Sequence, residues 1–139
     1  MVSLDEYHYE VPNINILRNV IEAHAEDYPM YQGDKVPWSQ WLTLSAVCAS
    51  NCVLVGTDDE GKQAFAIFDI GYDPHVVGSV LTMQMTVSNS PKAMSAITKR
   101  LLRIAYNCGC SYIWMSRRTG AYSYSGTFHK LREKSNGIF

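Results

Sequence analysis

The chain has 139 residues, of which 47% are hydrophobic and 18% are charged, so its composition predicts one globular domain over residues 1–139 and excludes a disordered protein. No apolar run approaches the roughly 20 residues that a membrane helix needs, and the acidic, tyrosine-containing segment Met1–Glu10 is unlike a signal peptide. We therefore expect a protein that folds in the cytoplasm and keeps its four cysteines as thiols.

Charge is distributed unevenly along the chain. Residues 1–73 hold 12 acids and three bases, whereas residues 74–139 hold nine bases and one acid. One interpretation is that the two halves pack side by side and partly neutralise one another. The other is that they leave a basic face for phosphate, nucleic acid or an acidic protein surface.

Three elements are predicted before residue 50. Tyr7–Val11 alternates as a first strand, Ile14–Tyr28 has the amphipathic period of a helix, and Pro37–Ala49 is a second helix. The second helix contains Trp38 and Trp41, which we expect to be core or interface anchors.

Two strands joined by a tight turn follow. Cys52–Thr57 is short and apolar, Asp58–Gly61 has the composition of a hairpin turn, and Gln63–Ile70 is the returning strand. The returning strand is apolar on both faces, which is typical of a central strand that is covered on both sides. The loop after it contains Asp73 and His75, a candidate carboxylate–imidazole pair for proton transfer.

The stretch Val80–Trp114 predicts a strand, a sharp turn, a helix and a second strand. Ser90 is a suitable N-cap and Pro91 a suitable first residue for the helix over Lys92–Asn107. The first strand alternates with period two, which assigns one face to four apolar residues: Leu81, Met83, Met85 and Val87. The two strands are predicted to be parallel, with a right-handed crossover.

The last predicted elements are a strand over Tyr112–Met115, a polar loop over Ser116–Gly120 and a short helix within Tyr122–Lys134. The complete order is β-α-α-β-β-β-α-β-α. That order predicts an α+β domain with a mixed β-sheet and helices on both faces.

This order of elements resembles the GNAT superfamily, the Gcn5-related N-acetyltransferases, over nearly the whole chain. In that family the turn between the fourth strand and the third helix, usually written R/Q-x-x-G-x-G/A, binds the pyrophosphate of coenzyme A through backbone N–H groups. The matching stretch here is Val87–Met94, which has no glycine and in which Pro91 removes one donor. The resemblance therefore implies a GNAT-like fold with a degenerate coenzyme loop and with the family's last two strands missing.

The resemblance also implies site residues for an enzyme. If the chain is an acetyl-CoA-dependent N-acetyltransferase, Ser88, Asn89 and Lys92 would hold the pyrophosphate of the coenzyme. Tyr122 or Tyr124 would then protonate the leaving thiolate.

The short length, the tyrosine-rich composition and the degenerate loop are also similar to small GNAT-like proteins of tailed bacteriophages, among them a minor internal virion protein. The strand Ser111–Ser116 with its Tyr-x-Trp motif and the closing Gly-x-Phe carry this likeness. It implies a non-catalytic protein without a cofactor that acts through its surface on other protein chains in virion assembly or ejection. Its location would be the cytoplasm of the producing cell or the virion.

Basic side chains are densest in and after the third predicted helix, at Lys99, Arg100, Arg103, Arg117 and Arg118. They are either a solvated face or a docking surface for an acidic partner or a phosphate backbone. The second interpretation leads to a third functional hypothesis, a nucleic-acid-binding or anti-defence module.

The cysteines form two close pairs, Cys48 with Cys52 and Cys108 with Cys110. Neither spacing repeats as zinc knuckles do, so no metal site is predicted. Buried, inert thiols are the preferred interpretation.

Overall fold

A computed structural model describes residues 1–23, 37–120 and 123–131. The elements in these residues are β1 (Ser3–His8), α1 (Ile14–Glu22), α2 (Trp38–Ser50), β2 (Cys52–Thr57), β3 (Gln63–Tyr72), β4 (Ser79–Ser88), α3 (Pro91–Asn107), β5 (Tyr112–Gly120) and β6 (Ser123–Lys130). The strands form one six-stranded sheet in the order β1-β2-β3-β4-β5-β6. Neighbouring strands are antiparallel except β4 and β5, which are parallel. The prediction of an α+β fold with a mixed sheet is confirmed.

Helices cover both faces of the sheet, as predicted. On one face, Ile97 and Leu101 of α3 pack against alternate residues of β2 and β3, such as Leu54 and Ala66. On the other face, α1 and α2 form a second core with β2, β3 and β4, which includes Leu17, Ile21, Trp41, Cys48, Val55, Phe65 and Val87. β3 contributes to both cores, which confirms its predicted central position.

A β-bulge interrupts the pairing of β4 with β3. The neighbouring residues Ile67 and Phe68 of β3 pair with Met85 and Met83, so that Gln84 is an extra residue on β4. Such an insertion bends the strand and increases its twist. Gln84 is exposed, in keeping with its position outside the ladder.

The bulge inverts the faces of β4. Leu81 and Met83 lie in the core under α3, whereas Val87 lies in the core under α1 and α2. The prediction that the apolar residues of this strand share one face is therefore wrong. One inserted residue moves every later side chain to the opposite face.

The bulge also lies where β4 and β5 separate. Their parallel pairing covers only Val80–Thr82 and Tyr112–Trp114. Beyond it β4 continues to Ser88 and β5 to Gly120 without further pairing to each other. The two strands therefore diverge toward the end of the sheet where α3 begins.

The end of the described chain differs from the predicted elements. The predicted loop Ser116–Gly120 is instead the second half of β5. A helix was predicted within Tyr122–Lys134, but Ser123–Lys130 is strand β6, so that prediction is wrong there. β6 pairs with β5 along its length, and its serine, threonine and aromatic residues favour a strand. A strand therefore follows β5 where the sequence led us to expect none. Residues 121, 122 and 132–139 lie outside the described part.

The first two elements also need correction. β1 is Ser3–His8 rather than Tyr7–Val11, and it ends before Tyr9, whose φ is 56°. As an edge strand, β1 is defined by its pairing with β2 more than by its own pattern. α1 begins at Ile14 as predicted. It was expected to continue to Tyr28, but the residues from 24 to 28 lie outside the described chain. Within the described residues no helix is long and apolar enough to cross a membrane.

Candidate functional site

The turn between β4 and α3 is where the GNAT resemblance implies a coenzyme site. Ser90 caps α3, because its Oγ accepts a hydrogen bond from the Ala93 N–H at 3.1 Å, and Pro91 is the first helical residue. This arrangement confirms the predicted helix start. A helix N-terminus carries a partial positive charge and N–H groups that suit an anion.

The backbone N–H groups of this turn already have acceptors inside the protein. The Asn89 N–H donates to the Gln63 carbonyl oxygen at 2.9 Å, and the Ser90 N–H donates to Ser88 Oγ at 3.1 Å. Pro91 has no N–H to offer. The turn therefore presents few of the donors with which a glycine loop would hold a diphosphate.

A carboxylate lies beside the N-terminus of α3. Ser90 Oγ donates a hydrogen bond to Asp58 Oδ2 at 2.5 Å, while Asp58 Oδ1 accepts the N–H groups of Glu60 at 2.9 Å and Lys62 at 3.0 Å. These hydrogen bonds, the one from Ser90 above all, hold the pKa of Asp58 below its usual range. Asp58 is therefore ionised at neutral pH and fastens the β2–β3 turn to the start of α3.

A cleft of about 330 Å³ adjoins this turn and contains more acidic than basic side chains. Asp58, Asp59 and Glu60 line it together with Lys62 and Lys92. Lys62 lies 3.5 Å from the Glu60 carboxylate, so part of its charge is already compensated. The N-terminal ammonium group in turn lies 2.6 Å from the Asp59 carboxylate. Lys92 is the remaining cation that lines this cleft, and the Asp58 carboxylate at the helix start opposes it.

The low pKa of Asp58 predicts a loss of stability in acid. A carboxyl group whose pKa is lowered by folding stabilises the folded state above its unfolded pKa of about 3.9, and this contribution disappears as the pH falls through the folded-state value. We expect Asp58→Asn to unfold more easily than the wild type at neutral pH, with the difference shrinking between about pH 5 and pH 2. Urea denaturation at a series of pH values measures this.

The control for this prediction is Glu60→Gln, which removes one negative charge from an exposed residue of the same turn. Glu60 contributes a long ion pair with Lys62, so this variant should change the free energy of unfolding little. Equal pH dependence in the Asp58→Asn variant and the wild type would contradict the role given to Asp58.

The structure brings three of the predicted site residues together. Ser88, Asn89 and Lys92 lie at the β4–α3 turn. The Ser88 hydroxyl already donates a hydrogen bond within the protein, to the Ser90 carbonyl oxygen at 2.9 Å. Tyr124 is exposed on β6, where it pairs in register with Arg118. The topology places Tyr124 at the same end of the sheet as the turn. Tyr122 lies outside the described residues.

Asp73 and His75 form the predicted pair at the opposite end of the sheet. His75 Nδ1 lies 2.7 Å from Asp73 Oδ1, and the His75 N–H donates to the same oxygen at 2.8 Å. The backbone bond and then the ring bond lower the pKa of Asp73. The ten-residue strand β4 separates this pair from the β4–α3 turn, by about 30 Å at strand geometry. The two sites are therefore separate.

The predicted basic residues differ in exposure and in pairing. Lys99 and Arg103 are exposed on α3, whereas Arg100 is half-buried and its Nη1 lies 2.7 Å from Glu6 Oε1. This ion pair joins the basic and acidic halves of the chain, in line with mutual neutralisation. Arg117 is exposed on β5, toward the end of the sheet where α3 begins, and the side chain of Arg118 is outside the description. Binding of nucleic acid or of an acidic partner through these side chains stays a prediction.

The cysteines are thiols of different exposure. Burial raises the pKa of the Cys48 thiol to about 11, and it also raises the pKa values of Cys52 and Cys110. Cys108 is exposed at the end of α3, so the prediction that all four thiols are buried is wrong for this residue. Among the described residues, no group of three or more His, Cys, Asp and Glu side chains could hold a metal ion.

Comparisons with known proteins yield a structural likeness only. The chain is similar to the crystal structure of a protein described as a "putative phosphinothricin N-acetyltransferase", with a TM-score of 0.48 and 17% sequence identity. The match covers 81% of this chain and 72% of that chain. No protein-family model and no curated protein matches the sequence.

Proposed function

We propose that the protein is a non-catalytic GNAT-like protein that acts by contacting other protein chains. The observation that carries this proposal is the Asp58 carboxylate, 2.5 Å from Ser90 Oγ at the start of α3. An acyl-CoA enzyme of this fold needs the diphosphate of its coenzyme there. An ionised carboxylate at this position repels the diphosphate. It also accepts the hydrogen bond that the helix-capping hydroxyl of Ser90 donates.

The composition of the turn supports the same proposal. A glycine loop lets phosphate oxygens approach the backbone closely, whereas Ser88, Asn89 and Ser90 place side chains there, and Pro91 offers no donor. A protein of this fold that does not bind the coenzyme would act through contacts that its surface makes with other chains. The finer hypothesis, a component of a tailed-phage virion or of its assembly, depends on the sequence resemblance alone.

The divergence of β4 and β5 favours a second candidate, an acetyl-CoA-dependent N-acetyltransferase. Beyond Thr82, the main chain of β4 from Met83 to Ser88 has no pairing to β5. An extended acyl carrier with amide groups would find hydrogen-bonding partners along such a strand. Lys92 would then contact its phosphates, and Tyr124 would be the candidate proton donor.

Thermal unfolding with millimolar acetyl-CoA distinguishes the two candidates. The non-catalytic proposal predicts an unchanged Tm, because the acidic turn excludes the diphosphate. A coenzyme present at about 100 times its Kd would instead stabilise the fold by about 2.7 kcal/mol, which corresponds to several degrees.

Two variants make this result specific. If the wild type does respond, Lys92→Glu should abolish the rise in Tm, whereas Lys99→Glu, with the same charge change further along α3, should keep it. That pattern, together with release of free coenzyme A thiol in the presence of amines, would overturn the non-catalytic proposal. No response, no turnover and recovery of the natural protein in a stoichiometric complex with another chain would support it.

A further inference from the structure

The start of β2 holds a thiol beside an imidazole. His8 and Cys52 pair in register across β1 and β2, and Cys52 Sγ lies 3.5 Å from His8 Nδ1. A ring nitrogen without a proton accepts a hydrogen bond from a thiol in such a contact. The His8 side chain is 62% exposed, so the contact is open to solvent.

A carboxylate lies on the other side of the imidazole. Glu6 precedes His8 by two residues on β1, and its Oε2 is 3.4 Å from His8 Nε2. Arg100 Nη1 of α3 donates to Glu6 Oε1 at 2.7 Å, which holds the carboxylate in position. A carboxylate at Nε2 favours the tautomer with its proton there, which leaves the lone pair of Nδ1 for the thiol. The three side chains therefore have the order of an orienting carboxylate, a base and a nucleophile.

The charge around Cys52 determines how the thiol could react. Burial raises its pKa, and the carboxylates of Asp69 and Glu6 raise it further. The thiol is therefore protonated at neutral pH, and its proton must be removed at the moment of attack. His8 Nδ1 is the base within reach of that proton.

We propose that Cys52 is a nucleophilic thiol that accepts an acyl group from a thioester, with His8 as its general base and Glu6 as the positioning carboxylate. His8 Nδ1 takes the proton of the thiol while Sγ forms a bond to the carbonyl carbon of the thioester. The bond from that carbon to the sulfur of the donor then breaks, and the departing thiolate takes the proton from His8. The products are S-acylated Cys52, a free thiol and neutral His8.

Two observations favour a thioester with an uncharged acyl group. Cys52 packs against the apolar core under α3, and the nearby carboxylates of Glu6 and Asp69 repel an anionic electrophile. A thioester also matches the nucleophile, because its leaving group is itself a thiolate. The six-residue strand β2 lies between Cys52 and Asp58, so this site is separate from the β4–α3 turn.

Treatment of the reduced protein with N,S-diacetylcysteamine, a small thioester without a diphosphate, tests the proposal. Tandem mass spectrometry of proteolytic peptides follows the acetylation of each cysteine with time. Cys108 is the internal reference, because it is more exposed than Cys52 and, among the described residues, has no hydrogen bond to an imidazole. We expect Cys52 to react about tenfold faster than Cys108 despite its lower exposure.

Three variants assign the roles of the side chains. His8→Gln should lower the rate at Cys52 by about 100-fold and leave the rate at Cys108 unchanged. Glu6→Gln should cause a smaller loss at Cys52 alone, because the imidazole stays but is no longer oriented. His129→Gln is the matched control: it removes another exposed imidazole, on β6, and should change neither rate.

A measurement on the wild type in urea avoids any dependence on the folding of the variants. Unfolding separates His8 from Cys52, so the two thiols should then react at similar rates. A native Cys52 that reacts no faster than Cys108, or a His8→Gln protein whose Cys52 reacts like that of the wild type, would overturn the proposal. The probe needs no binding at the β4–α3 turn, so this proposal and the proposed function can fail separately.

Discussion

Truncating Phe65 to alanine is expected to lower the free energy of unfolding by about 3 to 5 kcal/mol. Phe65 is fully buried in the central strand β3, where it pairs in register with Val55 and Val87 and belongs to the core under α1 and α2. Alanine loses the transfer free energy of the ring and leaves a cavity that the sheet and the helices cannot fill by collapsing. Urea denaturation of the two proteins measures the difference.

Tyr72→Ala is the matched control for this prediction. Tyr72 ends the same strand and is 88% exposed, so its truncation should change the free energy of unfolding by less than about 0.5 kcal/mol. If the two variants lost similar stability, the assignment of Phe65 to the centre of the core would be wrong.

Replacing Gly126 by valine is the second change with a large expected effect. A Cβ at this position would overlap the indole ring of Trp114, which lies over Gly126 and whose centroid is 4.6 Å from that of Phe128. The ring must move, and we expect the free energy of unfolding to fall by about 1 to 3 kcal/mol. Urea denaturation gives the stability, and tryptophan fluorescence reports the displaced ring.

Gly71→Ala provides the comparison for Gly126→Val. Gly71 also lies in a strand, but an added Cβ there would meet no heavy atom within 4 Å. Its stability and fluorescence should stay close to those of the wild type. A Gly126→Val protein as stable as Gly71→Ala would show that Trp114 does not depend on the glycine.

The parts of the fold that were predicted correctly are those defined by neighbouring residues. The bounds of β2 match the prediction, and α3 starts where Ser90 and Pro91 indicate, because caps and short apolar runs act within a few positions. The central place of β3 follows from apolar residues on both faces. These signals need no knowledge of distant contacts.

The errors concern features that depend on partners far along the chain. The Gln84 bulge is defined by the pairing of β4 with β3, and period two alone does not reveal it. β6 is polar and mostly exposed, so its pattern is weak, and its pairing with β5 determines its structure.

The candidate site shows the same difference between features defined by neighbouring residues and features defined by distant contacts. The β4–α3 turn was located from its own residues, but Asp58 joins it from 32 positions away. In the sequence Asp58 has only the features of a turn residue, and nothing local connects it to Ser90. The charge on which the proposed loss of coenzyme binding depends is thus a tertiary feature.

The short pairing of β4 with β5 has a mechanical consequence. Strands β1–β4 form one leaf of the sheet and β5–β6 another, and the ladder between them is limited to Val80–Thr82 and Tyr112–Trp114. An isolated two-stranded ribbon is marginally stable in water. The β5–β6 leaf therefore depends on this seam and on its packing under α3, where Ile113 and Leu131 are buried. This seam is the shortest ladder of the sheet, so we expect a change there to separate the two leaves before it disturbs the other ladders.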